Sequence, residues 1–404
     1  MASRPLHAVL LPPRSAAGRL LELLAAALDG TGPAILPIDP ALPPGSRDRL
    51  LAAFAPGSIE TGEDARPVAL AGPGAAVGED VAVVLATSGS TGMPKGAELP
   101  AAALLASARA SLSRLGAAAG ERWMCCLPVH HISGLGVLVR SLVAGSAPVI
   151  AGRLDADAVR RAVEPGGGGC GYVSLVPTQL RGLLSAGAPL AGFRAILLGG
   201  AAIPPGLLGE AAAAGTRVVA SYGMTETCGG CAYDGVPLDG VTVGTAADGR
   251  IRIGGPVLFS RYRLAPELTA AALAGGWFRT SDLGGIGTDG RLVVRGRADD
   301  AINSGGEKVI AGEVEQTLRF CAQVRDAAVV GMPDPYWGER VTALIIPADP
   351  ADPPSLERIR AQVAQRLPRH AAPLAMLIVA EIPVLASGKP DRQRLRQIAL
   401  AAQA

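Results

Sequence analysis

Short apolar runs typical of buried β-strands alternate with helical stretches through residues 81–220, and this alternation constrains the fold more than any other feature of the chain. The strand-like runs are residues 81–86, 172–176, 195–198 and 217–220, and the helical stretches include 177–185 and 205–214. Strands that alternate with helices form mostly parallel sheets with helices on their faces. The sequence therefore predicts an α/β fold of doubly wound sheets, with ligands bound at the carboxyl ends of the strands.

The regions on either side have a different texture. Residues 1–80 are rich in Ala, Pro and Gly and show one helical stretch, 19–28, whereas residues 241–297 contain short strands and turns. A compact α/β module follows, with helices near 313–320 and 355–367 and strands near 327–330, 341–346 and 375–380. We predict a large N-terminal domain of residues 1–297 with a β-rich subdomain, and a small mobile C-terminal α/β domain of residues 298–404.

Composition excludes several classes of partner. The 37 Lys and Arg residues nearly balance the 35 Asp and Glu residues, and aromatic residues make up only 3% of the chain, so nucleic acid is not an expected partner. No apolar run approaches the roughly 18 residues of a membrane helix, so no membrane insertion is expected. Six cysteines without a secretion signal indicate a cytoplasmic location, and Cys228 and Cys231 form a lone pair that predicts no metal site.

The segment after the first apolar run, residues 87–96, has the composition of a phosphate-binding loop. Its three glycines let backbone N–H groups approach an anion, and four hydroxyls and one lysine complete the shell. A P-loop ATPase would need Ser or Thr after the lysine to hold magnesium, but Gly96 stands there. The residues expected to bind a nucleotide triphosphate are Thr87, Ser88, Gly89, Ser90, Thr91, Gly92 and Lys95.

Further motifs follow in a fixed order: His-Ile-Ser-Gly (131–134), Ser-Tyr-Gly-Met-Thr-Glu-Thr (221–227), Gly-Trp-Phe-Arg-Thr-Ser-Asp-Leu (276–283), Gly-Arg-Ala-Asp-Asp-Ala-Ile-Asn-Ser-Gly-Gly-Glu (296–307) and Ser-Gly-Lys-Pro (387–390). Together with the loop, this order resembles the adenylate-forming superfamily of acyl-CoA and aryl-CoA ligases, peptide-synthetase adenylation domains and luciferases. The resemblance implies that a carboxylate attacks the α-phosphate of ATP, giving an acyl-adenylate and pyrophosphate. A thiol, expected to be that of coenzyme A, then displaces AMP.

The resemblance also implies roles for individual residues. The segment from Thr87 to Lys95 matches the part that holds the β- and γ-phosphates, Tyr222 matches the aromatic that stacks on adenine, and Asp282 matches the carboxylate that binds the ribose hydroxyls. Other positions expected to contact the nucleotide are Gly200, Ala201, Gly223, Met224 and Arg297.

Catalytic positions are carried over in the same way. Thr225 matches the hydroxyl at the α-phosphate, and Glu226 matches the carboxylate that holds Mg²⁺. Lys389 matches the lysine that bridges the attacking carboxylate and the α-phosphate during adenylation. Asp299 matches the hinge about which the C-terminal domain swings between the half-reactions.

Residues 128–135, 174–180 and 222–240 are similar to the o-succinylbenzoate-CoA ligases of menaquinone biosynthesis, notably a short actinobacterial group. Such a substrate is a dicarboxylate, so the carboxylate that is not activated needs a cation, and Arg140 is the candidate. His131 is expected to shape the wall of the acyl pocket, and Thr178 to contact the substrate. The phosphate loop begins early, at residue 87, which implies a shortened front end; the resemblance also allows for a homodimer.

The sequence leaves four alternatives open. The substrate could be another aryl or fatty acid, and the acceptor could be the thiol of a carrier protein. The chain could also be a catalytically silent binding module with the same fold, but the presence of Glu226, Asp282 and Lys389 argues against this. A generic ATPase would release ADP and phosphate instead of AMP and pyrophosphate.

Overall fold

A computed structural model describes residues 3–12, 16–62, 66–72, 74–87, 94–164, 166–204, 206–384 and 390–402, and every structural statement below concerns these residues. The chain forms two compact units. The first comprises Met1–Gly200, Glu210–Val243 and Arg252–Arg279; the second comprises Ala201–Gly209, Gly244–Ile251 and Thr280–Ala404. The predicted domain boundary after residue 297 stays a prediction.

The strands and helices up to residue 245 are, in chain order, β1 (Ser3–Arg4), β2 (Leu6–Leu10), α1 (Ala17–Asp29), β3 (Ala34–Pro37), α2 (Pro44–Phe54), β4 (Ser58–Thr61), β5 (Val68–Ala69), β6 (Val77–Gly78), β7 (Val81–Thr87), β8 (Lys95–Pro100), α3 (Ala101–Leu115), β9 (Arg122–Cys125), α4 (Ile132–Ala144), β10 (Val149–Ile150), α5 (Ala156–Val163), β11 (Cys170–Leu175), α6 (Pro177–Ser185), β12 (Ala195–Leu198), α7 (Leu207–Ala213), β13 (Val218–Met224), β14 (Gly229–Tyr233), β15 (Val236–Pro237) and β16 (Thr242–Thr245). Short 3₁₀ helices occupy Leu190–Gly192 and Thr225–Thr227.

The remaining elements are β17 (Arg250–Gly254), β18 (Arg261–Tyr262), α8 (Pro266–Ala272), β19 (Leu273–Ala274), β20 (Trp277–Ile286), β21 (Leu292–Arg297), β22 (Ala301–Ser304), β23 (Glu307–Ile310), α9 (Ala311–Arg319), β24 (Val324–Asp334), β25 (Gly338–Pro347), α10 (Leu356–Ala364), β26 (Ala375–Ile378) and α11 (Arg392–Ala401). Two further 3₁₀ helices occupy Ala298–Asp300 and Arg369–Ala371.

Two sheets with parallel centres form the core of the first unit. One has the strand order β18-β8-β7-β3-β2-β4-β5, in which β3 pairs parallel with both β2 and β7. The other has the order β10-β9-β11-β12-β13-β14-β15 and is parallel from β10 to β13. Helix α3 contacts β7 and β8 of the first sheet and β14 of the second, and α3 also packs on α4. The predicted α/β fold with doubly wound sheets is confirmed.

The front of the chain is richer in structure than the sequence indicates. Besides α1, which covers the predicted stretch 19–28, residues 3–80 contain the helix α2 and six strands. Helix α2 has no apolar stripe, because Phe54 is its only fully buried residue. The expectation of a single helical stretch before residue 80 was therefore wrong. The second helix was missed because the apolar residues of α2 lack helical periodicity.

The β-rich region has the strand order β16-β17-β20-β19, with β21 paired to β20, as the short strands and turns predict. The last sheet has the order β23-β22-β25-β24, with β26 parallel to β25. Alternate residues of β24 enter two different apolar clusters. Ala327 and Val329 face the cluster of α9 and α10, whereas Ala328 and Val330 face that of α11, so this sheet is covered on both faces. Helix α11 was not predicted. Among the described helices, none is long and apolar enough to cross a membrane.

Candidate active site

The ends of the predicted phosphate loop are fixed by an antiparallel strand pair. Thr87 closes β7, Lys95 opens β8, and the two residues lie opposite each other, with the Thr87 hydroxyl 3.3 Å from the Lys95 carbonyl oxygen. The apolar residues of β7 that precede Thr87 are almost all fully buried. The loop residues Ser88, Gly89, Ser90, Thr91 and Gly92 lie outside the described residues.

The segment from Tyr222 to Glu226 runs out of β13 into the 3₁₀ turn Thr225–Thr227. The buried Thr227 hydroxyl shapes this turn, because it accepts the Met224 N–H at 3.0 Å and donates to the Gly229 carbonyl at 2.7 Å. A glycine is required at 223, since a Cβ there would stand 2.0 Å from the Gly229 carbonyl oxygen. The turn presents the half-buried side chains of Thr225 and Glu226 immediately after a parallel strand.

A contact that the sequence did not predict joins this turn to the phosphate-loop flank. The Tyr262 hydroxyl donates to Glu226 Oε1 at 2.8 Å, and Lys95 Nζ lies 5.6 Å from the centroid of the Tyr262 ring. The Phe259 N–H donates to the Glu226 carbonyl at 2.9 Å. Tyr262 belongs to none of the recognised motifs, so no sequence signal marked it.

Gly200 follows β12 with a φ of 83°, a left-handed conformation that favours glycine. It therefore lies at the carboxyl end of a parallel strand, next to β13, as expected of a nucleotide contact. Ala201 is the next residue in the chain and begins the first segment of the second unit.

In the second unit, Arg297 joins the candidate ribose carboxylate to the candidate hinge. Asp282 on β20 and Arg297 on β21 are cross-strand partners, and Arg297 Nη1 lies 3.4 Å from Asp282 Oδ1. The other end of the guanidinium lies 3.0 Å from Asp299 Oδ2. Burial disfavours the charged form of Arg297, but the carboxylates of Asp282 and Asp299 outweigh it and raise the pKa of Arg297.

The candidate acyl-pocket residue His131 immediately precedes α4 and is half-buried beside His130. Burial and the neighbouring His130 ring lower the pKa of His131 to about 4, although Asp39 opposes this shift. His131 is therefore neutral at pH 7, which suits a wall residue and not a cation for a carboxylate. Thr178, the second residue of α6, is exposed.

Arg140 on α4 is buried, with 7% of its surface exposed. Its guanidinium lies 4.3 Å from the ring centroid of Trp123, and Nη2 donates to the Ser174 hydroxyl at 3.0 Å. Its Nε has no hydrogen-bond partner, and no ion pair joins it to an Asp or Glu among the described residues. The neighbouring Ser141 hydroxyl and the Trp123 Nε1 are also buried without partners. A buried cation with an unused donor of its own is suited to an anionic ligand.

Lys389 lies outside the described residues, but the chain on its C-terminal side is held firmly. Pro390 forms an isolated β-bridge with Val384, and Arg392 forms ion pairs with Asp300 at 3.4 Å and with the buried Glu315.

Cys228 and Cys231 are buried free thiols, and burial raises the pKa of Cys228 well above the usual range. Burial and a raised pKa make the Cys228 thiol unreactive, so its role between β13 and β14 is packing.

Comparisons with known proteins agree with this arrangement. The family model described as AMP-binding enzyme matches residues 32–297, and that of the AMP-binding enzyme C-terminal domain matches residues 313–389. The chain is 43% identical over 402 residues to a probable 2-succinylbenzoate–CoA ligase of Mycobacterium tuberculosis, covering 97% of each protein.

Two solved enzymes share the fold. The o-succinylbenzoate CoA synthetase from Bacillus subtilis in complex with the acyl-adenylate intermediate OSB-AMP is 27% identical, with a TM-score of 0.81 over 97% of this chain and 88% of that one. The same enzyme with ATP and a magnesium ion gives a TM-score of 0.80 at 26% identity over 97% and 89%. An amide bond synthetase from Marinactinospora thermotolerans is 27% identical, with a TM-score of 0.84 over 98% and 90%. The predicted superfamily is confirmed: the chain belongs to the AMP-binding enzyme family.

Proposed function

We propose that the protein is an ATP-dependent acid-thiol ligase that converts o-succinylbenzoate, ATP and coenzyme A to o-succinylbenzoyl-CoA, AMP and pyrophosphate by way of an acyl-adenylate. The similarity to a probable 2-succinylbenzoate–CoA ligase over 97% of both chains supports this reaction. The amide bond synthetase with the same fold marks the alternative, because the fold alone fixes neither the acid nor the acceptor.

The observation that carries the substrate assignment is the buried Arg140. A dicarboxylate places its second carboxylate inside the acyl pocket, where an unpaired anion would be costly. Arg140 is a buried guanidinium with an unused Nε and no acidic partner among the described residues. The cavity that it lines with Ser107 and Cys228 is too small for a water molecule, so the carboxylate would need the side chain to shift.

We assign ATP to the residues that the family pattern marks. Thr87, Lys95 and the intervening loop residues bind the β- and γ-phosphates, and Tyr222 stacks on adenine. Asp282 and Arg297 bind the ribose hydroxyls, and Gly200, Ala201, Gly223 and Met224 contribute backbone contacts. The close approach of β13 and β14 excludes a side chain at 223, so the backbone there is bare.

The donor set of the turn fits Mg²⁺. This ion prefers one or two carboxylates together with phosphate oxygens and water, and Glu226 supplies one carboxylate beside the Thr225 hydroxyl. When bound, the ion would neutralise charge on the phosphates. Glu226 would hold it, Thr225 would contact the α-phosphate, and Lys389 would stabilise the charge that develops during adenylation.

The finer assignments rest on the family pattern alone. Residues 1–297 bind ATP and the acid, residues 298–404 carry Lys389, and Asp299 is the hinge between the half-reactions. His131 and Thr178 line the acyl pocket. A cytoplasmic location and a homodimer are part of the same proposal.

Release of pyrophosphate and AMP across a panel of carboxylic acids tests the proposal. The panel contains o-succinylbenzoate, an analogue without the second carboxylate, benzoate and a medium-chain fatty acid. We expect o-succinylbenzoate to be preferred, and Arg140→Met to raise its KM about 10- to 100-fold while leaving the KM of the monocarboxylate analogue within about 3-fold. Preference for another acid would refute the substrate, release of ADP and phosphate would indicate an ATPase, and no product from ATP with any acid would indicate a silent binding module.

A further inference from the structure

We infer that Tyr262 is a positioning residue for the metal-binding carboxylate, fixing Glu226 in the orientation that Mg²⁺·ATP requires. This inference rests on the proposed role of Glu226. Tyr262 lies outside every motif of the family pattern. All of its contacts used below are with residues of the first unit.

The first observation is the contact itself. The Tyr262 hydroxyl donates to Glu226 Oε1 at 2.8 Å, while the Phe259 N–H holds the Glu226 carbonyl at 2.9 Å. Glu226 is thus fixed both at its backbone and at one carboxylate oxygen. Groups that orient a metal-binding carboxylate reduce the entropy that the side chain loses on binding, and they affect metal affinity without touching the ion.

The second observation is that Tyr262 itself is held rigidly. Its side chain is buried, with only 7% of the residue exposed, and its ring packs against Phe259 at a centroid distance of 4.7 Å. Phe259 in turn packs edge-on against Phe278 at 5.4 Å. A hydroxyl on a packed aromatic ring can fix its acceptor, whereas a mobile hydroxyl would follow it.

The third observation is that the same ring faces Lys95, whose Nζ lies 5.6 Å from the ring centroid. Tyr262 therefore contacts a cation through its ring and an anion through its hydroxyl; Lys95 is assigned to the phosphates of ATP and Glu226 to the Mg²⁺ that accompanies them. The two contacts are chemically separable: replacement by Phe removes only the hydroxyl, and replacement by Leu also removes the ring face.

The experiment measures binding of a non-hydrolysable ATP analogue by calorimetry, once with Mg²⁺ and once with EDTA. The ratio of the two dissociation constants reports the contribution of the metal independently of turnover. In Tyr262→Phe we expect this ratio to fall about 10- to 100-fold, with the dissociation constant in EDTA unchanged. In Tyr262→Leu we expect the dissociation constant in EDTA to rise as well, because Lys95 loses its aromatic contact.

Tyr172→Phe is the matched control. Tyr172 is also buried, and its hydroxyl donates to Glu121 Oε2 at 3.0 Å. The Tyr172→Phe variant therefore loses an equivalent hydrogen bond elsewhere in the same unit. We expect its metal ratio to equal that of the wild type. If the ratio of the two dissociation constants also fell in Tyr172→Phe, the fall in Tyr262→Phe would reflect a general loosening of the fold. That result would overturn the inference.

Glu226→Gln separates the inference from the proposal on which it rests. If Glu226→Gln lowers the metal ratio and Tyr262→Phe does not, Tyr262 has no positioning role and the metal assignment stands. If neither variant changes the ratio, the metal assignment of Glu226 is wrong and the inference fails with it. Thermal melting curves of Glu226→Gln and Tyr262→Phe that match the curve of the wild type establish that both variants have folded.

Discussion

At the residue scale, the strongest local constraint lies at a glycine with an ordinary backbone conformation. A Cβ on residue 223 would lie 2.0 Å from the Gly229 carbonyl oxygen and 2.6 Å from the Gly230 Cα, both of which are backbone atoms that cannot rotate away. We therefore expect Gly223→Ala to separate β13 from β14, with a cost of about 1–3 kcal/mol and weaker nucleotide binding. Apparent Tm and calorimetric binding of the ATP analogue measure the two effects.

Gly182→Ala is the control for this substitution. Gly182 lies on the exposed side of α6, and a Cβ there would meet no atom within 4 Å. Alanine is the better helix former, so this variant should gain about 0.5–1 kcal/mol and bind nucleotide normally. A Gly223→Ala protein with wild-type Tm and binding would show that the β13–β14 approach tolerates a side chain.

At the element scale, Arg263 ties several segments of the first unit together. It follows β18, pairs with the buried Glu98 of β8 at 3.1 Å, and also donates to the carbonyl groups of Phe54 and Ala75. Arg263→Met would leave Glu98 Oε1 and two carbonyls without their buried donor, and Glu98 would keep only the half-exposed Arg261, so we expect a loss of about 3–5 kcal/mol. We expect a fall of several degrees in apparent Tm, measured by scanning calorimetry.

Arg261 provides the comparison for Arg263, because it pairs with the same carboxylate at 2.9 Å but its side chain is half exposed. Solvent screens an exposed pair, so Arg261→Met should cost no more than about 1 kcal/mol. Equal losses from the two substitutions would mean that burial of the Arg263 pair adds nothing to stability.

The secondary-structure elements differ in how well the sequence predicts them. The strands β7, β11 and β12 were predicted to within two residues at each end, because a buried parallel strand is an uninterrupted apolar run. Helix α2 was missed because it buries one large side chain, and α11 because half of its residues are polar or charged. A helix is recognised from the spacing of its apolar residues, and α2 offers little of that spacing.

The candidate site was predictable where a motif is continuous in the chain, as at 87–96 and 221–227. Tyr262 could not be found in this way, since its partners Glu226 and Lys95 lie 36 and 167 residues away. The ion pair between Asp300 and Arg392 is hidden for the same reason. Contacts of such separation depend on the packing of the whole unit, which a single sequence does not state.

At the scale of the whole molecule, the chain has very few lysines, and their positions make the proposed division of labour testable. The sequence contains three, at 95, 308 and 389: one follows the phosphate loop in the first unit, and the other two belong to the second unit. Adenylation brings together two anions, the carboxylate and the α-phosphate, whereas attack of a thiol on the finished acyl-adenylate brings together only one anion and an activated ester. A lysine placed between the two anions therefore matters in the first half-reaction alone.

We expect Lys389→Ala to slow acyl-adenylate formation at least 100-fold, the usual loss when a group that stabilises transition-state charge is removed. Thioester formation from supplied acyl-adenylate and coenzyme A should remain within about 3-fold of the wild-type rate. Rapid-quench assays of pyrophosphate release and of thioester formation measure the two steps separately. Lys308→Ala is the matched control, because it removes the same charge from an exposed strand position of the same unit and should spare adenylation. Equal losses in both steps for Lys389→Ala would mean that this lysine maintains the fold of the C-terminal segment instead of stabilising charge, and that the cation of the first half-reaction lies elsewhere in the chain.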